Sequence, residues 1–138
     1  MQTFLPYKNF KKSLKTLDTK RLGKQRVEAY QILNIILKRT ASKGWRNHPA
    51  ILMWKKYPNA LKEYLNESII EWKARGYKNN MNLETIRGKI VYPNWLGNKN
   101  FHAAHRSNLL RKNFEHYSKF KWKEKNNLPY IWPSNKKR

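Results

Sequence analysis

Residues 1–62 contain two acids, Asp18 and Glu28, against fifteen lysines and arginines. Glu28 is therefore an acid in cationic surroundings. At about 100° per residue on a helix, Arg21, Lys24, Gln25 and Glu28 share one face. Glu28 is either an i,i+4 partner for Lys24 or a solvated acid, worth about a few tenths of a kcal/mol, or it is a carboxylate beside a phosphate backbone, available as a general base. Arg26 falls within the apolar stripe of Leu22, Ala29, Tyr30 and Leu33. It either snorkels or pairs internally with an acid.

His102 and His105 stand at i,i+3, a spacing that suits a metal-dependent nuclease. The chain has no cysteine and one aspartate, so a third ligand is hard to find, and a structural or DNA-facing role is the stronger reading. Glu63, Glu67 and Glu71 repeat every four residues opposite a Leu61 stripe, which marks a charged face that pairs with surplus cations. There is no Gly-rich phosphate loop, Walker lysine or Ser-His-Asp pattern. Basic residues interleaved with Trp45, Trp54, Trp95, Trp122 and Trp132 suit a nucleic-acid surface, although most of these rings are expected in the core.

The elements that must position these groups are helical. Residues 18–39 read as the longest helix, with Asp18 as N-cap and Leu22, Ala29, Tyr30, Leu33, Ile36 and Leu37 at helical spacing. After a loop through Gly44, the run Trp45-Arg46-Asn47-His48 leads into a short helix opened by Pro49 and ended or kinked by Pro58. A second long helix runs from Pro58 to about Arg75 on the stripe Leu61, Leu65, Ile69 and Trp72, with Gly76 as its stop. Ile90-Val91-Tyr92-Pro93 is an irregular connection or a strand fragment, and residues 98–112 form a third main helix. The tail Leu128-Pro129-Tyr130-Ile131-Trp132-Pro133 packs back in extended form before a basic end at Lys136, Lys137 and Arg138. The reading is an all-α fold of three main helices plus short ones, as a single domain over residues 1–138.

The 138 residues allow one core, and 31 Lys+Arg against 8 Asp+Glu give a formal charge of +23. Such an excess repels itself on compaction and calls for a polyanionic partner. With 39% hydrophobic and 14% aromatic residues the chain is expected to fold rather than stay disordered. The lack of cysteine excludes disulfides, thiol nucleophiles and Cys-bound zinc. No apolar run reaches the ~20 residues of a bilayer span, and the opening residues lack the apolar stretch of a secretion signal. An intracellular, soluble monomer with no membrane partner is expected.

Several stretches together carry a resemblance. They are Met1-Gln2-Thr3-Phe4-Leu5-Pro6-Tyr7, Arg21-Leu22-Gly23-Lys24-Gln25-Arg26-Val27-Glu28-Ala29, Gly44-Trp45-Arg46-Asn47-His48-Pro49-Ala50 and Trp72-Lys73-Ala74-Arg75-Gly76-Tyr77. They resemble the pyrimidine-dimer DNA glycosylase family of the phage endonuclease V type. Phe101-His102-Ala103-Ala104-His105-Arg106-Ser107-Asn108-Leu109-Leu110-Arg111-Lys112 and the aromatic tail resemble a bacterial and viral branch of it.

The resemblance implies a compact all-α fold whose N-terminus passes between helices to a DNA face. It also implies glycosylase followed by abasic-site lyase activity on double-stranded DNA, with no metal or organic cofactor. The α-amine of the N-terminal residue would attack the sugar C1′, and Glu28 matches the glutamate that removes the C2′ proton. Damaged bases stack poorly, so distortion and nucleotide flipping would supply selectivity. Arg21, Lys24, Arg26, Arg46, His48, His105, Arg106 and Lys112 are the expected DNA contacts. Two positions depart from the pattern: Val27 stands where the characterised enzymes have arginine, and bulky Gln2 disfavours removal of Met1. Either Met1 itself supplies the amine or the lyase chemistry is absent. A non-catalytic nucleic-acid-binding protein of the same fold is the alternative.

Overall fold

The computed structural model describes residues 1–41 and 46–133. Gly44, Trp45 and the basic end at Lys136, Lys137 and Arg138 lie outside the described residues. The helices are Phe10–Thr16 (α1), Thr19–Ile36 (α2), Pro49–Leu52 (α3), Pro58–Ala74 (α4), Lys99–Lys112 (α5) and Phe114–Tyr117 (α6), followed by a 3-10 turn at Ser118–Phe120. No strand occurs among the described residues, so the fold is all-α, with α2, α4 and α5 as its three main helices. Residues 90–93 are irregular. No helix of the described residues is long and apolar enough to cross a membrane.

The central layer is α2 against α4, with α1 on α4 and α3 on α2. Leu22, Ala29, Ile32 and Leu33 of α2 meet Leu61, Leu65 and Ile69 of α4 in one buried cluster. Tyr30, expected in the stripe, is 41% exposed. Within the cluster Phe10, Trp54, Tyr64, Trp95 and Phe101 contact one another edge-on or tilted, the geometry that ring quadrupoles favour.

Helix ends follow local chemistry. α4 begins at Pro58 and stops at Gly76, whose φ of +89° lets the Gly76 and Tyr77 amides bond back to the Lys73 and Trp72 carbonyls. α2 stops earlier than residue 39, because Lys38 takes the same left-handed conformation at φ 58° and Arg39 N–H reaches the Asn34 carbonyl at 2.8 Å. This conformation costs a side-chain-bearing residue about 1–2 kcal/mol. The helix at Pro49 spans a single turn and ends at Leu52, well before Pro58. α1 is an element the sequence reading left out, although Asn9 caps it by accepting from Lys12 N–H at 2.8 Å and Phe10 and Leu14 face the core.

The nine residues before α1 matter most for the site. Phe4 N–H donates to Gln25 Oε1 of α2 at 2.5 Å, and the Tyr64 hydroxyl of α4 lies 2.8 Å from the Phe4 carbonyl. Leu5 meets His102 and His105 of α5, and Arg106 Nη1 donates to the Pro6 carbonyl at 2.7 Å. The N-terminal segment thus runs between the α2–α4 pair on one side and α5 on the other.

The C-terminal tail is tied to α5 by buried polar side chains. Ser107 Oγ donates to the Lys125 carbonyl and accepts from Leu128 N–H, and Asn108 Nδ2 donates to the Leu128 carbonyl at 3.1 Å. Tyr130 and Trp132 are thereby laid against the core as the tail reading anticipates.

Candidate functional site

Where the N-terminal segment emerges, a cavity of about 260 Å³ opens between α2, the end of α5 and the tail. Met1, Gln2, Lys20, Arg21, Lys24, Gln25, Glu28, Lys112, Tyr130 and Trp132 line it, with Phe4 behind them. The Met1 amine lies 3.7 Å from Glu28 Oε2, and both side chains are largely buried, at 8% and 13% exposure. Glu28 is held from its own helix by Gln25, whose Nε2 donates to Glu28 Oε1 at 3.4 Å. The same amide accepts at Oε1 from Phe4 N–H, with the Tyr64 hydroxyl 2.9 Å away, so one buried glutamine ties the N-terminal chain to the carboxylate.

The rim is cationic. Burial, and then the charges of Arg21, Arg111 and Lys24, lower the Lys112 pKa from its ordinary value. Arg21 is anchored by Asp18, with Nη1 3.2 Å from Oδ2. Asp18 is the N-cap residue of α2 but makes no side-chain cap bond, because its carboxylate instead takes Arg21 and accepts from the Tyr117 hydroxyl.

The structure thus brings together Met1, Glu28, Arg21, Lys24 and Lys112. None of the other expected DNA contacts lines this cavity. Arg26 turns away from the cavity, donating to Asn79 Oδ1 at 2.6 Å and lying over the Trp72 ring at 4.9 Å, so its internal partner is an amide rather than an acid. That ring crowds α2 so closely that a Cβ on Gly23 would stand 2.9 Å from it. Arg46 is exposed on a separate groove with Ile35, Lys38 and Ile51. Arg106 is taken up by Glu124 at 2.9 Å and by the Pro6 carbonyl. His48 caps α3, accepting from Ala50 N–H at 3.0 Å, and stands edge-on to Trp132. Burial, and then the positive N-terminal amine, lower its pKa.

His105 requires a correction of the expected role, because it is fully buried and offers no surface to DNA. Its Nδ1 accepts from Leu5 N–H at 2.9 Å. His102 Nδ1 lies 2.7 Å from the Leu5 carbonyl and its Nε2 accepts from Gly97 N–H at 2.9 Å, which engages both ring nitrogens in the fold rather than with a metal. No group of three or more His, Cys, Asp or Glu among the described residues is arranged to hold a metal ion. On α4, Glu71 pairs with Arg75 at 2.9 Å and Glu63 accepts from the Tyr92 hydroxyl.

Sequence reasoning placed Gln25 on the Glu28 face but missed its link to Phe4; it assigned no site role to Tyr64 or Tyr130, and named Trp132 only among the rings that suit a nucleic-acid surface. An amide one helical turn before an acid was the available signal for Gln25; nothing local marks Tyr64.

Burial of His105 has a measurable consequence. Burial first, and the neighbouring His102 second, push its pKa down to about 3. An unfolded histidine takes up a proton near 6.5, so below that pH the unfolded chain binds more protons than the folded one. This contribution to stability is complete above about 6.5 and declines as pH falls from there toward about 3. The thermal midpoint is expected to drop steadily from pH 6.5 to 4, and less steeply in His105→Asn. Equal slopes in calorimetry of the two proteins would remove His105 as a source.

These observations define an all-α protein with an amine–carboxylate pair at the base of a cation-rimmed cavity. A family model of pyrimidine dimer DNA glycosylases matches residues 1–85, more than half of the sequence, and the chain belongs to that family. The matched part contains Met1 and Glu28, while α5 and the tail lie beyond it. No curated protein and no solved structure matches the chain.

Proposed function

We propose that the protein acts as a monomeric, single-domain DNA glycosylase with abasic-site lyase activity on damaged duplex DNA, and that the Met1 α-amine and Glu28 carry the chemistry. The observation that carries this reading is the 3.7 Å approach of that amine to the Glu28 carboxylate in a cavity ringed by Arg21, Lys24 and Lys112. An α-amine titrates at about 7.7–8.0, against about 10.4 for a lysine side chain, so at neutral pH it is the more available nucleophile.

In the reaction the free amine of Met1 attacks C1′ of the damaged nucleotide. The glycosylic bond breaks, its electron pair leaves with the base, and the base takes up a proton. Opening of the sugar ring, with a proton delivered to O4′, gives an iminium between Met1 and C1′. Glu28 then removes a C2′ proton, the C–H electrons form the C2′–C3′ double bond, and the 3′ phosphate departs with the C3′–O pair. Water hydrolyses the imine and returns the amine. Arg21, Lys24 and Lys112 hold flanking phosphates, and their positive field stabilises the departing anion.

The test is incubation with a duplex carrying one abasic site in the presence of borohydride, which reduces an imine to a stable amine. A covalent protein–DNA adduct is expected. Binding without adduct or strand cleavage would contradict the reading and leave a non-catalytic nucleic-acid-binding protein.

A further inference from the structure

A buried extended segment must satisfy its backbone groups, and residues 3–7 have no neighbouring strand to do so. Side chains from four helices serve instead: Gln25 and Tyr64 at Phe4, His105 and His102 at Leu5, Arg106 at Pro6 and Ser13 at Tyr7. At Leu5 two rings one helical turn apart on α5 take both polar groups. Their roles fix the tautomers. His105 accepts from Leu5 N–H, so its Nδ1 is bare. His102 accepts from Gly97 at Nε2, so its proton is on Nδ1 and is donated to the Leu5 carbonyl.

Both rings are buried, at 5% and 0% exposure, and neither faces the cavity that holds Met1 and Glu28. They touch no reacting atom. What they do touch is the chain that carries the amine, four residues upstream of the grip. Gln25 and Tyr64 hold Phe4, and the two rings fix the residue next to it; the precision matters because a displacement of about 1 Å at a reacting centre costs on the order of 10²-fold in rate.

We propose that His102 and His105 are positioning residues: as a two-ring clamp on Leu5 they hold the Met1 amine against Glu28, a role that rests on the amine being the nucleophile. The clamp belongs to α5, beyond the stretch matched by the family model.

The test compares His105→Leu, which keeps apolar bulk but removes the acceptor, with His105→Asn, whose Oδ1 stands in for Nδ1. Two quantities are measured on the full-length proteins. The first needs no DNA: the rate at which an activated acetyl ester at neutral pH modifies the Met1 α-amine, read by mass spectrometry of the N-terminal peptide. The second is the single-turnover rate of borohydride trapping on abasic duplex, set beside affinity for a duplex bearing an unreactive tetrahydrofuran abasic analogue.

His105→Leu is expected to acetylate at least about tenfold faster and trap at least about tenfold more slowly, with affinity within about threefold of the parent. His105→Asn is expected to restore both rates. Parental acetylation in His105→Leu, or parental trapping despite faster acetylation, would overturn the clamp. If the parent itself does not trap, the proposed function fails and the acetylation rates alone decide the clamp. Should His105→Leu lose the parental circular dichroism, His102→Phe against His102→Asn makes the same comparison at the donor to the Leu5 carbonyl.

Discussion

Glu28→Gln is expected to lower strand cleavage at an abasic site by about 10²- to 10⁴-fold, the usual contribution of a general base. The amide keeps the size of the side chain and an acceptor for Gln25 Nε2, which now donates at 3.4 Å, but it cannot take the C2′ proton. The loss should fall on elimination far more than on imine formation. Borohydride trapping is therefore expected to persist while cleavage disappears, and the intermediate should accumulate. Folding should be little affected, because the amide fills the same volume and keeps the Gln25 hydrogen bond, and the interaction removed is the ion pair with the Met1 amine. Single-turnover cleavage and trapping on the same substrate make the comparison. Equal cleavage by variant and parent would return Glu28 to the role of a partner for its basic neighbours.

The second large effect concerns the amine. Extending the chain by a few residues ahead of Met1 converts the α-amine into an amide and carries the new terminus out of the cavity. Arg21, Lys24 and Lys112 remain where they are. Trapping is expected to fall by at least about 10²-fold, the scale of a mispositioned reacting group. Duplex affinity should keep its steep, log-linear dependence on salt, about −0.9 per phosphate contact. Undiminished trapping in the extended protein would mean that a lysine is the nucleophile.

How much of this was legible in the sequence depends on the range of the interaction. The long helices were readable because apolar spacing and end signals are local: Pro58 and Gly76 bound α4, and Asn98 caps α5 by accepting from Phe101 N–H at 3.0 Å. The end of α2 was misjudged because its left-handed stop is a lysine, a residue with no preference for that conformation. α1 escaped notice although Phe10, Leu14 and Leu17, all buried, stand at helical spacing after the Asn9 cap.

At the site, the isolation of Glu28 among cations was visible in composition, and the pairing with Met1 came only from family resemblance. The choice between a structural and a DNA-facing His105 stayed open in the sequence, because two histidines at i,i+3 look the same whether they face solvent or a buried peptide. The partner of His105, Leu5, lies 100 positions away. Tyr64 and the tail rings were out of reach for the same reason, since their contacts with the N-terminal segment and with His48 exist only after the helices have closed on one another.

The central claim is that the Met1 α-amine is the group that reacts. Lys112 is the natural competitor, because it lines the same cavity and burial lowers its pKa. The most direct measurement is to reduce the imine formed on abasic duplex, digest the adduct with nuclease and protease, and locate the sugar remnant by mass spectrometry. The remnant is expected on the α-nitrogen of Met1. A remnant on Lys112, Lys24 or any other lysine would contradict it.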